Sequence, residues 1–182
     1  MSAASTHSPQ KPPLQLRAGF IADPHTLWLH LQAAVTWDER MRARKTASFG
    51  VAYHYSGITY PETAMLPTLL PICQQINQHI GFLPNNCLLN YYPDGNASMG
   101  YHSDDLAQLT PGTGVAILSL GTTRDIAFRA RSDRAIEHHY PLTQGSLLYM
   151  DTPVQTDWLH AIPKEPGAGA RISLTFRQID SI

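Results

Sequence analysis

The sequence predicts a mainly β fold of the α+β type, an antiparallel β domain propped by two N-terminal helices. Three observations carry this reading. Apolar residues at helical spacing are confined to the part before Gly81. Beyond Gly81 come short runs rich in β-branched and aromatic residues, LLNYY, GVAILSLG, RDIAFRAR, AIEHHY, GSLLYMD and RISLTFRQI. Between them stand turn-forming strings, PDGN, TPGTG, SD and EPGAGA, which read as connections between strands. The strands suffice for a jelly roll or a barrel.

The first helix is expected over residues 22–35, ADPHTLWLHLQAAV. Asp23 can cap its N-terminus, Pro24 suits the first turn, and Leu27, Leu31 and Ala34 recur on one face. A second covers about residues 67–80, PTLLPICQQINQHI, with Pro71 in the first turn and Gly81 as the C-cap. Between the two, ASFGVAYHYSGITY alternates like a strand pair or hairpin.

The chain has 182 residues, 43% hydrophobic and 15% charged, as expected for one folded domain. We assign that domain to residues 15–182 and read residues 1–14 as a flexible arm. The opening MSAASTHSPQKPP has no apolar core like that of a signal peptide, and no apolar run approaches the roughly 18 residues of a membrane span. Cys73 and Cys87 form neither a CxxC pair nor a disulfide framework, so they read as buried residues in a reducing, cytoplasmic compartment. A formal net charge of -1 argues against a partner held by overall electrostatics, while a local basic face could still bind phosphates. A monomer is expected.

The stretch GYHSDDL, residues 100–106, carries the chemistry. In an extended segment residues i and i+2 point to one side, so His102 and Asp104 converge while Ser103 faces away. A third ligand must come from elsewhere, and His160 in DWLHAIP stands just before the last expected strand. Two neutral imidazoles and a carboxylate make the facial triad of non-haem Fe(II) oxygenases. A structural zinc site would need four ligands, usually with cysteine among them. In ARISLTFRQ, Arg171 and Arg177 share one face of a strand. Each can hold a carboxylate in a bidentate fork, a pair suited to a dicarboxylate.

These residues resemble the AlkB family of Fe(II)- and 2-oxoglutarate-dependent dioxygenases. The resemblance rests on Asn90 and Tyr92 in LLNYYPDG, then HSD, then His160, then R-x-S-x-T-x-R at residues 171–177, in that order from about Ala43 to Arg177. It implies a double-stranded β-helix, a jelly-roll core, with supporting N-terminal helices and a substrate lid. It implies that His102, Asp104 and His160 ligate Fe(II), and that Asn90, Tyr92, Arg171, Ser173 and Arg177 line the 2-oxoglutarate pocket, with O2 as the oxidant. The implied reaction is oxidative removal of alkyl groups from damaged bases of DNA or RNA, such as 1-methyladenine and 3-methylcytosine. Aldehyde, succinate and CO2 would be released.

On the substrate side, ARKTASFGVAYHYSG resembles the family's nucleotide-recognition lid. Tyr53 and Tyr55 match a Y-x-Y at the substrate entrance, Phe49 offers an aromatic surface, and Arg42, Arg44 and Lys45 could contact phosphates. Asp105 joins this side, and the HSDD string resembles the DNA and RNA repair branch. Two positions depart from the family pattern. Leu106 stands where repair members commonly carry an acid facing the base, and Ser173 where many have asparagine. Two other readings stay open: the same cofactors acting on a small molecule, peptide or lipid, and a non-catalytic binding module on the same fold.

The remaining motifs carry less. His25 and His30 are five positions apart, whereas a shared metal on a helix needs about three or four. His138 and His139 point to opposite sides of a strand. The GAGA before Arg171 lacks the lysine and helix of a phosphate loop, and Trp158 reads equally as core or pocket wall.

Overall fold

The computed structural model of the chain describes residues 10–180. In chain order these form β1 (Gln15–Arg17), α1 (Pro24–Ala34), β2 (Lys45–Gly50), β3 (Tyr53–Tyr55), β4 (Ile58–Tyr60), α2 (Leu70–Ile80), β5 (Asn86–Tyr92), β6 (Met99–His102) and β7 (Val115–Gly121). There follow β8 (Arg124–Ala130), β9 (Glu137–Leu142), β10 (Leu147–Met150), α3 (Thr152–Asp157), β11 (Trp158–Ile162) and β12 (Arg171–Arg177).

A major sheet runs β1-β10-β7-β12-β5-β2 and a minor one β6-β11-β8-β9, with every pairing antiparallel. From β5 onward the chain passes repeatedly between the sheets: β5 is in the major sheet, β6 in the minor, β7 in the major, β8 and β9 in the minor. It returns through β10, β11 and β12 in the same manner. This winding is the double-stranded β-helix expected above. Val115, Ile117, Ile126, Phe128, Leu148 and Ile162 fill the space between the sheets. Helix residues Leu31 and Ile76 cover the outer face of the major sheet, against Leu89, Leu118, Leu174 and Phe176.

The alternation in β12 decides where the polar groups go. Ile172, Leu174 and Phe176 face the helices, so Arg171, Ser173, Thr175 and Arg177 point between the sheets. All are buried, because β12 lies between β7 and β5.

Both helices form where their local signals place them. The Asp23 carboxylate accepts from the Thr26 N–H at 3.0 Å, and Gly81 closes α2 with φ 99°, an αL conformation that glycine adopts without a Cβ penalty. The expected start of α2 is a separate 3-10 turn, Pro67–Leu69. The run ASFGVAYHYSGITY divides in two: β2 joins β5 at the edge of the major sheet, while β3 and β4 form a hairpin of their own. Ser56 and Gly57 at its tip both have positive φ, 51° and 77°, as a two-residue type I′ turn requires.

Three strands and one helix go beyond the sequence reading: β1, β6, β11 and α3. In β11, Trp158, His160, Ala161 and Ile162 are all buried, so no polar–apolar alternation marks it. Of the expected arm, residues 1–9 lie outside the described part. Residues 10–14 lie against the domain: His138 Nε2 donates to the Gln10 carbonyl at 2.7 Å, Pro12 is buried, and Leu14 packs on the inter-sheet core.

Candidate metal and diacid site

Strand pairing builds the metal-ligating cluster. In the β6–β11 ladder His160 stands directly opposite His102, which sets the two ring centroids 4.3 Å apart. Asp104 follows β6 by two residues and turns the same way: its Oδ1 is 3.8 Å from His102 Nε2 and 3.6 Å from His160 Nε2. One ligand atom from each residue lies within 4.8 Å of the others, and among the described residues no other group of three or more His, Cys, Asp or Glu does this. Ser103 faces away and accepts a hydrogen bond from Arg131 Nη2 at 2.5 Å.

The protonation states suit a cation. His102 Nδ1 lies 2.9 Å from the Gly100 carbonyl; a carbonyl can only accept, so Nδ1 carries a proton there and Nε2 is the nitrogen turned to the cluster. Burial pushes the His160 imidazole down to about 3, so it is neutral. Burial alone would raise the Asp104 carboxyl, but the Arg177 guanidinium beside it, with the two imidazoles, holds it below the usual carboxylate range. Arg177 Nε donates to Asp104 Oδ2 at 2.8 Å and Nη2 donates to the same oxygen. Oδ1 is left to face the imidazoles. Behind the cluster, buried Gln155 of α3 accepts the Asp104 N–H through Oε1 at 2.8 Å. Two neutral imidazoles and one carboxylate could hold Fe(II) and leave other coordination positions open. Cys73 and Cys87 lie in the core under the helices, where burial raises the Cys73 thiol to about 11 and the Cys87 thiol well above its ordinary value.

A second set of unused donors lies on the inner face of the major sheet. Register aligns Arg171 with Tyr92, and Ser173 with Asn90 on one side and Ser119 on the other. Arg171 is 1% exposed and donates through Nη2 to Ser119 Oγ at 3.0 Å, but its Nε and Nη1 have no partner, nor does the Tyr92 hydroxyl. Its guanidinium sits 5.2 Å from the Tyr92 ring centroid, and burial pushes its pKa down. Unpaired buried donors on a cation are costly. A carboxylate would satisfy them, so the residues present fit one end of a diacid. The two arginines of β12 therefore differ: Arg177 is committed to Asp104 and keeps one free donor, Nη1, while Arg171 is open.

The expected substrate residues divide. Tyr53 and Tyr55 stack at 6.2 Å; the Arg177 guanidinium lies 4.7 Å from the Tyr53 ring, and Tyr55 stands edge-on to His102 at 6.3 Å. A cleft of ≈ 390 Å³ is walled by Tyr53, Tyr55, His102, Asp104, Asp105 and Gln108. Gln108 spans its rim, accepting from the His54 N–H at 3.3 Å and donating to the His54 carbonyl at 3.2 Å. Asp105 lies at that rim, its oxygens accepting from the Ala107 N–H and from Gln108 Nε2. Leu106 packs on the inter-sheet core.

Phe49 does not join this cleft. Its side chain packs with the helix-side core, because Thr46 and Ser48 take the inward positions of β2 and Phe49 takes the alternate face. Arg44 is also not the phosphate contact expected of it: it is 7% exposed and bonded to Asn90 and Tyr55. Arg42 is exposed, and Lys45 Nζ pairs with Glu39 at 2.5 Å. His25 and His30 are exposed on α1, and Trp158 belongs to the inter-sheet core.

Comparison with known proteins agrees with this geometry. The sequence profile of the 2OG-Fe(II) oxygenase superfamily matches residues 26–177. The chain is 36% identical over 147 residues to the DNA oxidative demethylase ALKBH2 of Homo sapiens, a match covering 75% of this chain and 56% of that protein. It is 32% identical over 186 residues to the alpha-ketoglutarate-dependent dioxygenase alkB homolog 3 of Rattus norvegicus, covering 90% and 63%. The chain thus spans little more than half the length of these relatives. The solved structure of OsALKBH1 superposes with a TM-score of 0.69 at 17% identity, over 92% of this chain and 99% of that one, a likeness of fold. By this profile match and these relatives, the chain belongs to the 2OG-Fe(II) oxygenase superfamily as an AlkB-like member.

Proposed function

We propose that the chain removes alkyl groups oxidatively from damaged nucleic-acid bases, using Fe(II), 2-oxoglutarate and O2. The observation that carries the reading is the tyrosine-walled cleft opening on the His102, Asp104 and His160 cluster. The named activities of its relatives, a DNA oxidative demethylase among them, support the same chemistry. Iron with its co-substrate and oxygen supplies oxidation of an alkyl C–H bond, after which the alkyl group leaves as an aldehyde and 2-oxoglutarate as succinate and CO2.

The protein's own residues bind, orient and shield. His102, Asp104 and His160 would hold the metal. Arg171, Tyr92, Asn90, Ser173 and the free Nη1 of Arg177 would hold the diacid, with the buried donors of Arg171 providing the attraction. Tyr53 and Tyr55 would receive the extruded base. Extrusion costs a few kcal/mol, roughly, and less for a damaged or unpaired base; stacking on an aromatic ring returns about 1–3 kcal/mol. Leu106, partly buried against the inter-sheet core, supplies no polar contact to the base. Two free buried cysteines fit a reducing, cytoplasmic setting, and no helix of the described residues is long and apolar enough to cross a membrane. We take a monomer as the working unit.

The test is mass spectrometry of oligonucleotides carrying 1-methyladenine or 3-methylcytosine, single- and double-stranded, after incubation with protein, Fe(II), ascorbate and 2-oxoglutarate. Loss of 14 Da per lesion, roughly one methylene, with matching succinate supports the reading. Succinate without demethylation would redirect it to a small molecule, peptide or lipid. No binding of metal or 2-oxoglutarate would leave only a non-catalytic module.

A further inference from the structure

We propose that Arg44 is a positioning residue that couples the co-substrate pocket to the β3–β4 hairpin, so that 2-oxoglutarate binding orders the wall of the substrate cleft. Its guanidinium is buried and its three hydrogen-bond acceptors are all neutral. Nε donates to Asn90 Oδ1 at 2.7 Å, Nη1 to the Ser98 carbonyl at 3.4 Å, and Nη2 to the Tyr55 hydroxyl at 2.8 Å. The Tyr55 hydroxyl in turn donates to Met99 Sδ at 3.3 Å. One rigid fork therefore touches the β5 residue of the co-substrate pocket, the hairpin tyrosine beside His102, and the residue before β6, the strand that ends in His102.

The direction of each bond matters. An amide offers one oxygen and one NH2 group. Because Arg44 takes the Asn90 oxygen, the NH2 is left to donate, which is what a carboxylate requires. Binding of the diacid would lock the Asn90 amide, and a locked amide fixes Arg44 Nε. Guanidinium is planar, so fixing Nε also fixes Nη2 and with it the Tyr55 hydroxyl. Lysine has no such fork and could satisfy Asn90 or Tyr55 but not transmit between them. Neither strand of the hairpin pairs with a strand of the two larger sheets; a backbone bridge between Gly50 and Thr63 ties its base, and the body beyond it rests on side-chain contacts, that of Arg44 with Tyr55 among them.

The proposal rests on the reading that 2-oxoglutarate binds beside Asn90, and its test separates the two. The full chain, loaded with Mn(II), is followed by amide hydrogen exchange across residues 53–60 with and without 2-oxoglutarate, while calorimetry measures 2-oxoglutarate binding directly. Wild type should bind and slow hairpin exchange on the order of fivefold or more, the lower end of ordinary coupling. Arg44→Met and Arg44→Lys should lose that slowing. Tyr55→Phe, which touches no group of the co-substrate pocket, should still bind 2-oxoglutarate, weaker by no more than about the same fivefold because coupling is reciprocal, and also lose the slowing; this variant reads the link from the hairpin side should Arg44→Met fail to fold. Wild type that binds 2-oxoglutarate with no change in hairpin exchange, or a Tyr55→Phe variant that keeps the full slowing, overturns the coupling alone. Wild type that binds no 2-oxoglutarate overturns the co-substrate reading and the coupling together.

Discussion

Arg177 grips one oxygen of the Asp104 carboxylate and leaves the other turned toward His102 and His160. Before any metal binds, this pair is what makes a buried carboxylate tolerable. Arg177→Met should therefore cost the metal-free protein about 3–5 kcal/mol, the usual loss when one partner of a buried pair is removed. A divalent ion on Asp104 replaces the missing positive charge, so the loss should be smaller with Mn(II) bound. Urea unfolding with and without Mn(II) reads the difference; equal losses in both would show that the pair does not support the ligand.

Arg171 should respond with the opposite sign. Its Nε and Nη1 are buried and unpaired, so the protein without 2-oxoglutarate bears an unrelieved desolvation cost. Arg171→Met, similar in length and apolar, should leave stability unchanged or raise it by about 1–4 kcal/mol. The same variant should lose the stabilisation that 2-oxoglutarate gives wild type, about 2.7 kcal/mol at 100 times the dissociation constant. Thermal unfolding across a 2-oxoglutarate titration reads both effects, and a variant less stable than wild type yet still stabilised by 2-oxoglutarate would contradict the assignment.

The difference between these arginines was invisible in the sequence, although their shared face was not. Alternation along β12 and the i, i+2 relation of His102 to Asp104 depend on local geometry alone, which residue spacing states directly. The pairing of His160 with His102 depends on the β6–β11 register, and β11 is buried on both sides, so the chemistry of the residues pointed to His160 while the strand itself went unmarked. Phe49 shows where alternation fails. Between Phe49 and Tyr53 the chain leaves β2 through Gly50, at φ 91°, and inside–outside parity restarts in a new hairpin. Arg44 reads as one more cation in a basic run because its burial comes from β5 and β3, distant in sequence. For Gln155, the segment DTPVQTD shows only the capping Asp151 of a short helix.

The placement of Phe49 can be checked against that of Tyr55. Phe49→Ala should cost less than the about 3–5 kcal/mol of a fully buried phenylalanine, since Phe49 is only partly buried, and should leave the affinity for a methylated oligonucleotide within about twofold, because no stacking of about 1–3 kcal/mol is lost. Tyr55→Ala should weaken that affinity by about 5- to 150-fold, the equivalent of one stacked base. Fluorescence anisotropy with Mn(II) and 2-oxoglutarate present measures both. Weakening by Phe49→Ala comparable to that of Tyr55→Ala would return Phe49 to the cleft.

Gln155 touches no expected ligand atom, yet it holds the backbone from which Asp104 projects. Its Oε1 accepts the Asp104 N–H, and its Nε2 lies 3.8 Å from Met150 Sδ, which fixes the side chain from behind. Gln155→Leu keeps the bulk and removes the acceptor, leaving a buried N–H unpaired at a cost of about 1–3 kcal/mol. Because that N–H belongs to the ligand residue itself, the strain is relieved by movement of Asp104, and Mn(II) affinity should fall by about 10- to 100-fold, as for other groups that orient metal ligands. Thr156→Val on the same helix removes only an exposed hydroxyl bond to the Thr152 carbonyl and should leave Mn(II) binding unchanged. Calorimetric titration of both variants decides the matter: a Gln155→Leu protein that is destabilised but binds Mn(II) as tightly as wild type would mean that Asp104 is held by Arg177 alone.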